Sequence, residues 1–381
     1  MRTHPDLIAP IVATELKRVD RDPVSVVSVS IQIGGENKEV WYRLPASAAA
    51  SSGDTILAST LFLAMRQKRS LEIGTPVSPR LLGNASAIQE LFRTWDAGSQ
   101  EIAIDAKPRG IVSATRGDGV GCFFTGGLDS FYTALKHQEE ITHLVFVHGF
   151  DVSISDLPLR AKVSKSLQEV SLRLQKPLIE VETNLREFSD RFVNWDFYHG
   201  AALAAVGHLL SSRFRKMFIA ASRSYGDMIP LGSHPLMDPL WSTETMEFVH
   251  DGCEATRIEK AAAIASNDIA LKHLRVCWEN RGGAYNCGQC EKCLRTMACL
   301  RTIGALESCS AFESPLNLKA LAELEVEPIY RAHLENNLEV LERSGADPEL
   351  AAALRSCLSS RRHRGLARRA LHKLGSKFTR R

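Results

Sequence analysis

No run of apolar residues in this 381-residue chain is long enough to cross a bilayer; the longest, around residues 55–65, is short and interrupted. The first ten residues lack the charged-then-apolar order of a signal peptide, so a cytoplasmic address is the expectation. A disulfide framework is also missing. There are nine cysteines, but four of them crowd between Cys277 and Cys293 instead of being spread along the chain, which points to a metal. Acidic residues are absent from 355–381, which carry ten Lys or Arg, so the net charge of +3 leaves −7 for residues 1–354. A hydrophobic share of 44% excludes a disordered chain, and the length favours two or three domains.

The phosphate-binding signature that is missing is the Walker loop: no Gly-Lys-Ser/Thr closes any glycine turn. What stands instead is GCFFTGGLDS, residues 121–130. Residues 120–124 are an apolar run of strand length, Thr125-Gly126-Gly127 is a tight turn, and 129–138 has helical spacing with Asp129 or Ser130 able to cap. Strand, glycine turn and helix N-terminus make an anion site. Glycines let backbone N–H groups approach phosphate oxygens, and the helix dipole adds positive charge there.

Before this loop, residues 1–115 read as a separate α+β module. Residues 24–33 alternate and are β-branched, 39–44 pair with them, and Gly34-Gly35 is the hairpin between. Residues 54–67 have helical spacing, 70–73 and 101–106 are strands, and 107–110 is a linker. The module is either a platform for a substrate or partner, or a flank covering a sheet edge. From Gly121 onward strand and helix alternate, with apolar runs at 143–148, 178–182 and 217–221, the pattern of a doubly wound parallel sheet. Ligands in such sheets lie beyond the carboxyl ends of the strands, which nominates 125–130, 148–151 and 222–227.

The helix at 198–210 is apolar on most sides, so His199 and His208 read as core histidines. Residues 222–257 are polar and aperiodic, as segments that set specificity tend to be; Arg223, Tyr225, Asp227, His234, Asp238, Trp241 and His250 are the candidates there. Cys277, Cys287, Cys290 and Cys293 follow C-x9-C-x2-C-x2-C, which suits a closed tetrahedral Zn²⁺ site; a redox Cys-x-x-Cys or an iron–sulfur cluster is the alternative.

Thr125, Gly126, Gly127, Leu128, Asp129 and Ser130 resemble the Ser-Gly-Gly-x-Asp-Ser loop of the PP-loop ATP pyrophosphatase superfamily, with Thr for the first Ser. Taken with Thr256-Arg257-Ile258-Glu259 and with Cys277 followed by NCGQCEKCLR, the stretch 121–305 resembles 7-cyano-7-deazaguanine synthase and its relatives. The resemblance implies a PP-loop, HUP-like domain over 116–312 that ends in the zinc site, with a helical extension and basic tail over 313–381. It implies ATP with Mg²⁺, adenylation of a small carboxylate-type acid with release of pyrophosphate, and ammonia as nucleophile. Thr125 to Ser130 would then hold the phosphates, His148 and Asp151 would contact adenine and ribose, and Asp129, Ser130 and Arg257 would serve catalysis, Arg257 standing where the family has Lys and Lys260 nearby. The family's Tyr-Pro-Asp-Cys-Arg type substrate loop is replaced by Gly232-Ser233-His234-Pro235, which implies a changed acid. A tRNA-modifying thiolase is the alternative. Residues 367–378 have the pattern of a basic amphipathic helix, whose partner would be nucleic acid, an anionic membrane or the acidic body of the protein. No oligomeric state follows from the sequence.

Overall fold

The hairpin predicted at Gly34-Gly35 is present in the computed structural model, which describes residues 9–48, 53–110 and 117–359. Both glycines have left-handed backbone, φ +58° and +87°, as a two-residue turn of this kind requires. They join β2 (Val24–Ile33) to β3 (Glu36–Pro45), and β1 (Ile11–Arg21), which the pattern reading did not find, pairs antiparallel with β2. Then come α1 (Gly53–Gln67), β4 (Leu71–Val77), α2 (Pro79–Trp95) and β5 (Ile104–Pro108). Ser78 caps α2 by accepting from Leu81 N at 3.1 Å, with Pro79 in the first turn, where its missing N–H costs nothing.

Alternation follows: β6 (Gly119–Phe123), α3 (Leu128–Lys136), β7 (His143–His148), α4 (Leu157–Leu174), β8 (Leu178–Thr183), α5 (Leu185–Ser189), α6 (Trp195–Leu209), β9 (Phe214–Ala220) and β10 (Glu247–Asp251). The ten strands among the described residues form one mostly parallel sheet in the order β10-β9-β6-β7-β8-β3-β2-β1-β4-β5. The chain leaves β6 toward β7 on one side and later returns to β9 on the other. The carboxyl end of β6 is therefore a topological switch point, the place where α/β sheets bind ligands.

Residues 1–115 do not stand apart as a module. β3 lies antiparallel on β8, Tyr42 opposite Thr183 and Arg43 opposite Glu182. Asn184 clamps the joint, accepting from Trp41 N at 2.9 Å and donating to Glu39 O at 3.0 Å. The N-terminal strands thus cover the β8 edge, whose backbone groups would otherwise be unpaired. One core, from Ile11 to Phe248, runs through both parts. Helix α1, buried at every position from Gly53 to Met65, packs on β4 and α6 within it, and Phe62 stacks on Phe92 with ring centres 3.9 Å apart.

The described residues divide into two compact units. The first, with the whole sheet, takes residues up to 125, 133–221 and 230–253; the second takes 126–132, 222–229 and 254 onward. The second unit is helical: α7 (Arg257–Ile264), α8 (Asp268–His273), α9 (Glu291–Thr302), α10 (Leu318–Ala322), α11 (Arg331–Ser344) and α12 (Pro348–Ser359). The described residues beyond 312 include α10, α11 and α12 and share a core with α9: Leu294 and Ala298 pack with Leu321, Leu334, Leu341, Leu350 and Leu354. No helix among the described residues is long and apolar enough to cross a membrane. The helix expected at 367–378 lies outside the described residues.

Candidate functional site

The turn after β6 has the backbone its glycines foretell, with Gly126 at φ +73°. Helix α3 begins at Leu128; Phe131 N donates to Gly127 O at 2.9 Å, and Ser130 Oγ to the same carbonyl at 3.0 Å. Arg275 N fixes the turn from the other side by donating to Gly126 O at 2.7 Å.

Asp129, in the first turn of α3, is the meeting point of the second unit's cations. Arg257 Nη1 lies 3.0 Å from Oδ2 and Lys260 Nζ 3.7 Å from Oδ1. Both come from α7, whose start is fixed by a capping box: Thr256 Oγ1 accepts from Glu259 N at 3.3 Å and Glu259 Oε2 from Thr256 N at 2.7 Å. Arg257 Nη2 donates to Thr296 Oγ1 of α9 at 3.2 Å. Burial alone would raise the Asp129 carboxyl, but the charges of Arg257, Lys260 and Lys292 outweigh it and hold it below its usual value.

Positive charge is in excess here. Arg223, Arg257, Lys260, Arg275 and Arg295 are each at most 5% exposed. Arg257 and Lys260 share the Asp129 carboxylate, Arg223 pairs with Asp227 and Arg295 with Glu291, and Arg275 Nη2 donates to a neutral amide, Asn280 Oδ1, at 2.8 Å. Arg257 Nε, Arg275 Nε and Arg223 Nη2 are buried with no hydrogen-bonding partner among the described residues. His333 of α11 registers the crowding: burial, then the charges of Arg295, Arg257, Arg223 and Lys260, hold it well below the usual histidine value. Arg257, paired with Asp129, and Arg275, bonded to Gly126, bring two such donors to the glycine turn, which suits an anion with several oxygens.

The four cysteines are brought together as expected. Their sulfurs all lie within 4.8 Å of one another, Cys277 to Cys290 at 3.8 Å and Cys287 to Cys293 at 4.0 Å. Four thiolates about 2.3 Å from a tetrahedral Zn²⁺ lie about 3.8 Å apart, so the donor set fits that ion. The neighbouring backbone is turned toward the sulfurs: Asn280 N donates to Cys277 Sγ, Cys290 N to Cys287 Sγ and Cys293 N to Cys290 Sγ, at 3.2–3.4 Å. Asn286, which sequence reasoning passed over, holds the irregular segment at Cys277 by accepting from Val276 N and Cys277 N. Its only sequence signal was its place beside Cys287. No other group of three or more His, Cys, Asp or Glu among the described residues gathers ligand atoms in this way.

The remaining candidates divide between the units. His148 and Asp151 are in the first: His148 is buried, with Nε2 2.8 Å from Glu180 Oε2, and Asp151 lies 3.5 Å from Arg186. Asp238 and His250 form a buried pair at 2.7 Å, joined by Ser233 Oγ donating to Asp238 at 2.7 Å. Trp241 is fully buried and meets Phe62 edge-on, a core role, and His234 stacks near Trp95. His208 is a core histidine, pushed down to about 4 by burial, and His199 bonds Trp195 O. Arg223 and Asp227 pair at 3.2 Å in the second unit, whereas Tyr225 is exposed. Arg275, Arg295 and His333 carried no sequence signal beyond the place of Arg295 in the CEKCLR run.

No family model matches the chain, and no curated protein and no solved structure matches it.

Proposed function

We propose that the protein is an ATP-dependent ligase of the PP-loop type, which adenylates a small carboxylic acid and passes the acyl group to a nucleophile such as ammonia. The observation that carries this reading is the convergence of Arg257 and Lys260 on Asp129, in the first turn of the helix opened by Thr125-Gly126-Gly127. A carboxylate oxygen of the acid attacks the α-phosphorus, the bond from that phosphorus to the β-phosphate oxygen breaks, and pyrophosphate leaves. The nucleophile then adds to the acyl carbon and AMP departs. Backbone N–H groups of the loop and Ser130 hold the pyrophosphate, and Arg257 with Lys260 offsets its charge as it leaves. Asp129 keeps the two cations in place between turnovers. In this scheme the four cysteines hold a structural Zn²⁺ with no open position.

The test is product analysis of purified enzyme with ATP, Mg²⁺ and a panel of small acids. AMP and pyrophosphate are expected, and Asp129→Ala and Ser130→Ala should each abolish their release; ADP and orthophosphate would overturn the assignment. A second reading, a PP-loop enzyme that modifies tRNA, is favoured by the acid-free run of ten cations over 355–381. It predicts that pyrophosphate release requires RNA and not a free acid.

A further inference from the structure

Arg223 lies on the irregular segment 222–229, away in sequence from the loop helix and α7 that supply the pyrophosphate contacts. Its Nη1 is held by Asp227, and Asp227 is held in turn by Ser224, whose N and Oγ donate to Oδ1 at 2.7 and 2.6 Å. The guanidinium is thus fixed with Nη2 buried and without a hydrogen-bonding partner among the described residues. Helices α7, α9 and α11 pack against one another, and the charges of Arg223, Arg257 and Arg295 all bear on His333 at their junction. Arg295 is already engaged there, bonded to Glu291 at 2.7 Å and lying over the Tyr330 ring. That leaves Arg223 Nη2 as a fixed, desolvated donor in a positive field. Such a donor is retained where an acceptor comes from outside the chain.

We propose that Arg223 is a subsite for a second anionic group of the acid that is adenylated, a carboxylate or phosphate other than the group that reacts. This rests on the adenylation reading and narrows it: the substrate is an acid with two anionic ends, one at the α-phosphate of ATP and one at Arg223.

The test uses the full chain saturated with Mg²⁺ and inorganic pyrophosphate, titrated calorimetrically with malonate and, separately, with inorganic phosphate. At least one should bind at one further site, and the better probe tells whether the second group is a carboxylate or a phosphate. Arg223→Gln should weaken that binding about tenfold or more, the loss of one charge-assisted donor, with pyrophosphate binding changed less than twofold. Arg223→Lys should restore part of the loss, and serves if the Gln variant fails to fold. If neither anion binds the pyrophosphate-saturated protein, or if Arg223→Gln weakens pyrophosphate as much as the second anion, the subsite does not exist. If wild-type protein fails to bind pyrophosphate but binds malonate or phosphate through Arg223, the subsite stands and the adenylation reading falls.

Discussion

Replacing Arg257 with Met separates an anion-binding cation from a structural ion pair. The side chain is 4% exposed and bridges two elements, with Nη1 3.0 Å from Asp129 and Nη2 3.2 Å from Thr296. Removing one partner of a buried pair costs about 3–5 kcal/mol. Here Asp129 is 20% exposed and keeps Lys260 at 3.7 Å, so about 2 kcal/mol is expected once water and the remaining cation are allowed for. The same substitution removes a charge-assisted donor from the pyrophosphate, worth about 1.5–3 kcal/mol, or roughly a 10- to 100-fold loss of affinity. The acid limb provides an internal check. The carboxyl of Asp129 is held below its unfolded value of 3.8, so its contribution to stability is present above that pH and is lost as pH falls through the lower folded value. Without Arg257 the folded value rises, and acid unfolding should begin at higher pH. Urea unfolding across pH 2–7 and calorimetric titration with Mg²⁺ and pyrophosphate read the two effects separately. A variant that loses stability yet binds pyrophosphate within twofold of wild type would refute the reasoning, because Arg257 would then be only the counter-ion of Asp129.

Metal analysis of the purified chain should find about one zinc, and Cys290→Ser should lower the unfolding temperature by ten degrees or more, since a structural site contributes folding free energy directly; a metal-free chain with unchanged melting would dismiss the site. Burial works against a charged His250, but its hydrogen bond to Asp238 and a further one to Cys253 raise it to about 9. Its contribution to stability is therefore complete below about 6.5 and is lost as pH rises through 9, on the order of 2–3 kcal/mol, and Asp238→Asn should flatten this slope in urea unfolding followed from pH 6 to 10. Removing residues 360–381 should abolish any salt-sensitive binding of tRNA or anionic vesicles while leaving ATP chemistry intact; full-length protein that binds neither would remove the main support for an RNA substrate.

Local chemistry was legible wherever a short window contains its own cause. The Gly34-Gly35 turn, the strand and helix around Thr125 to Ser130, and the Cys277 to Cys293 cluster are each dictated by residues within a few positions of one another. β1 was missed because its apolar pattern is mixed with charge, as in TELKRVDR, whereas α2 was missed although Leu81, Ala85, Ile88 and Phe92 keep helical spacing. The joint between β3 and β8 pairs residues about 140 apart, and nothing in either strand alone specifies its partner, so 1–115 read as a separate module. The site was half legible for the same reason. Asp129, Ser130 and Arg257 follow from motifs and Arg223 from its place in the polar run 222–257, whereas Arg275 and His333 join their surroundings only through helix packing, with no shared spacing to announce it.

The cysteine cluster and the Gly126-Gly127 turn, about 150 residues apart in sequence, are one mechanical system within the second unit. Cys290 is the N-cap of α9, its sulfur accepting from Cys293 N, and Cys293 sits in the first helical turn. A metal held by Cys277, Cys287, Cys290 and Cys293 would therefore fix both where α9 begins and how it is rotated. One turn further on, Thr296 receives the Arg257 guanidinium on the Oγ1 that donates back to Lys292 O, and Lys292 adds its charge at Asp129. Rotation of α9 by a fraction of a turn would move Thr296 off Arg257 and leave that arginine held by Asp129 alone. A closed metal site that does no chemistry of its own can thus be required for charge placement at the loop, because a rigid helix of 12 residues, about three turns, carries its orientation to the site.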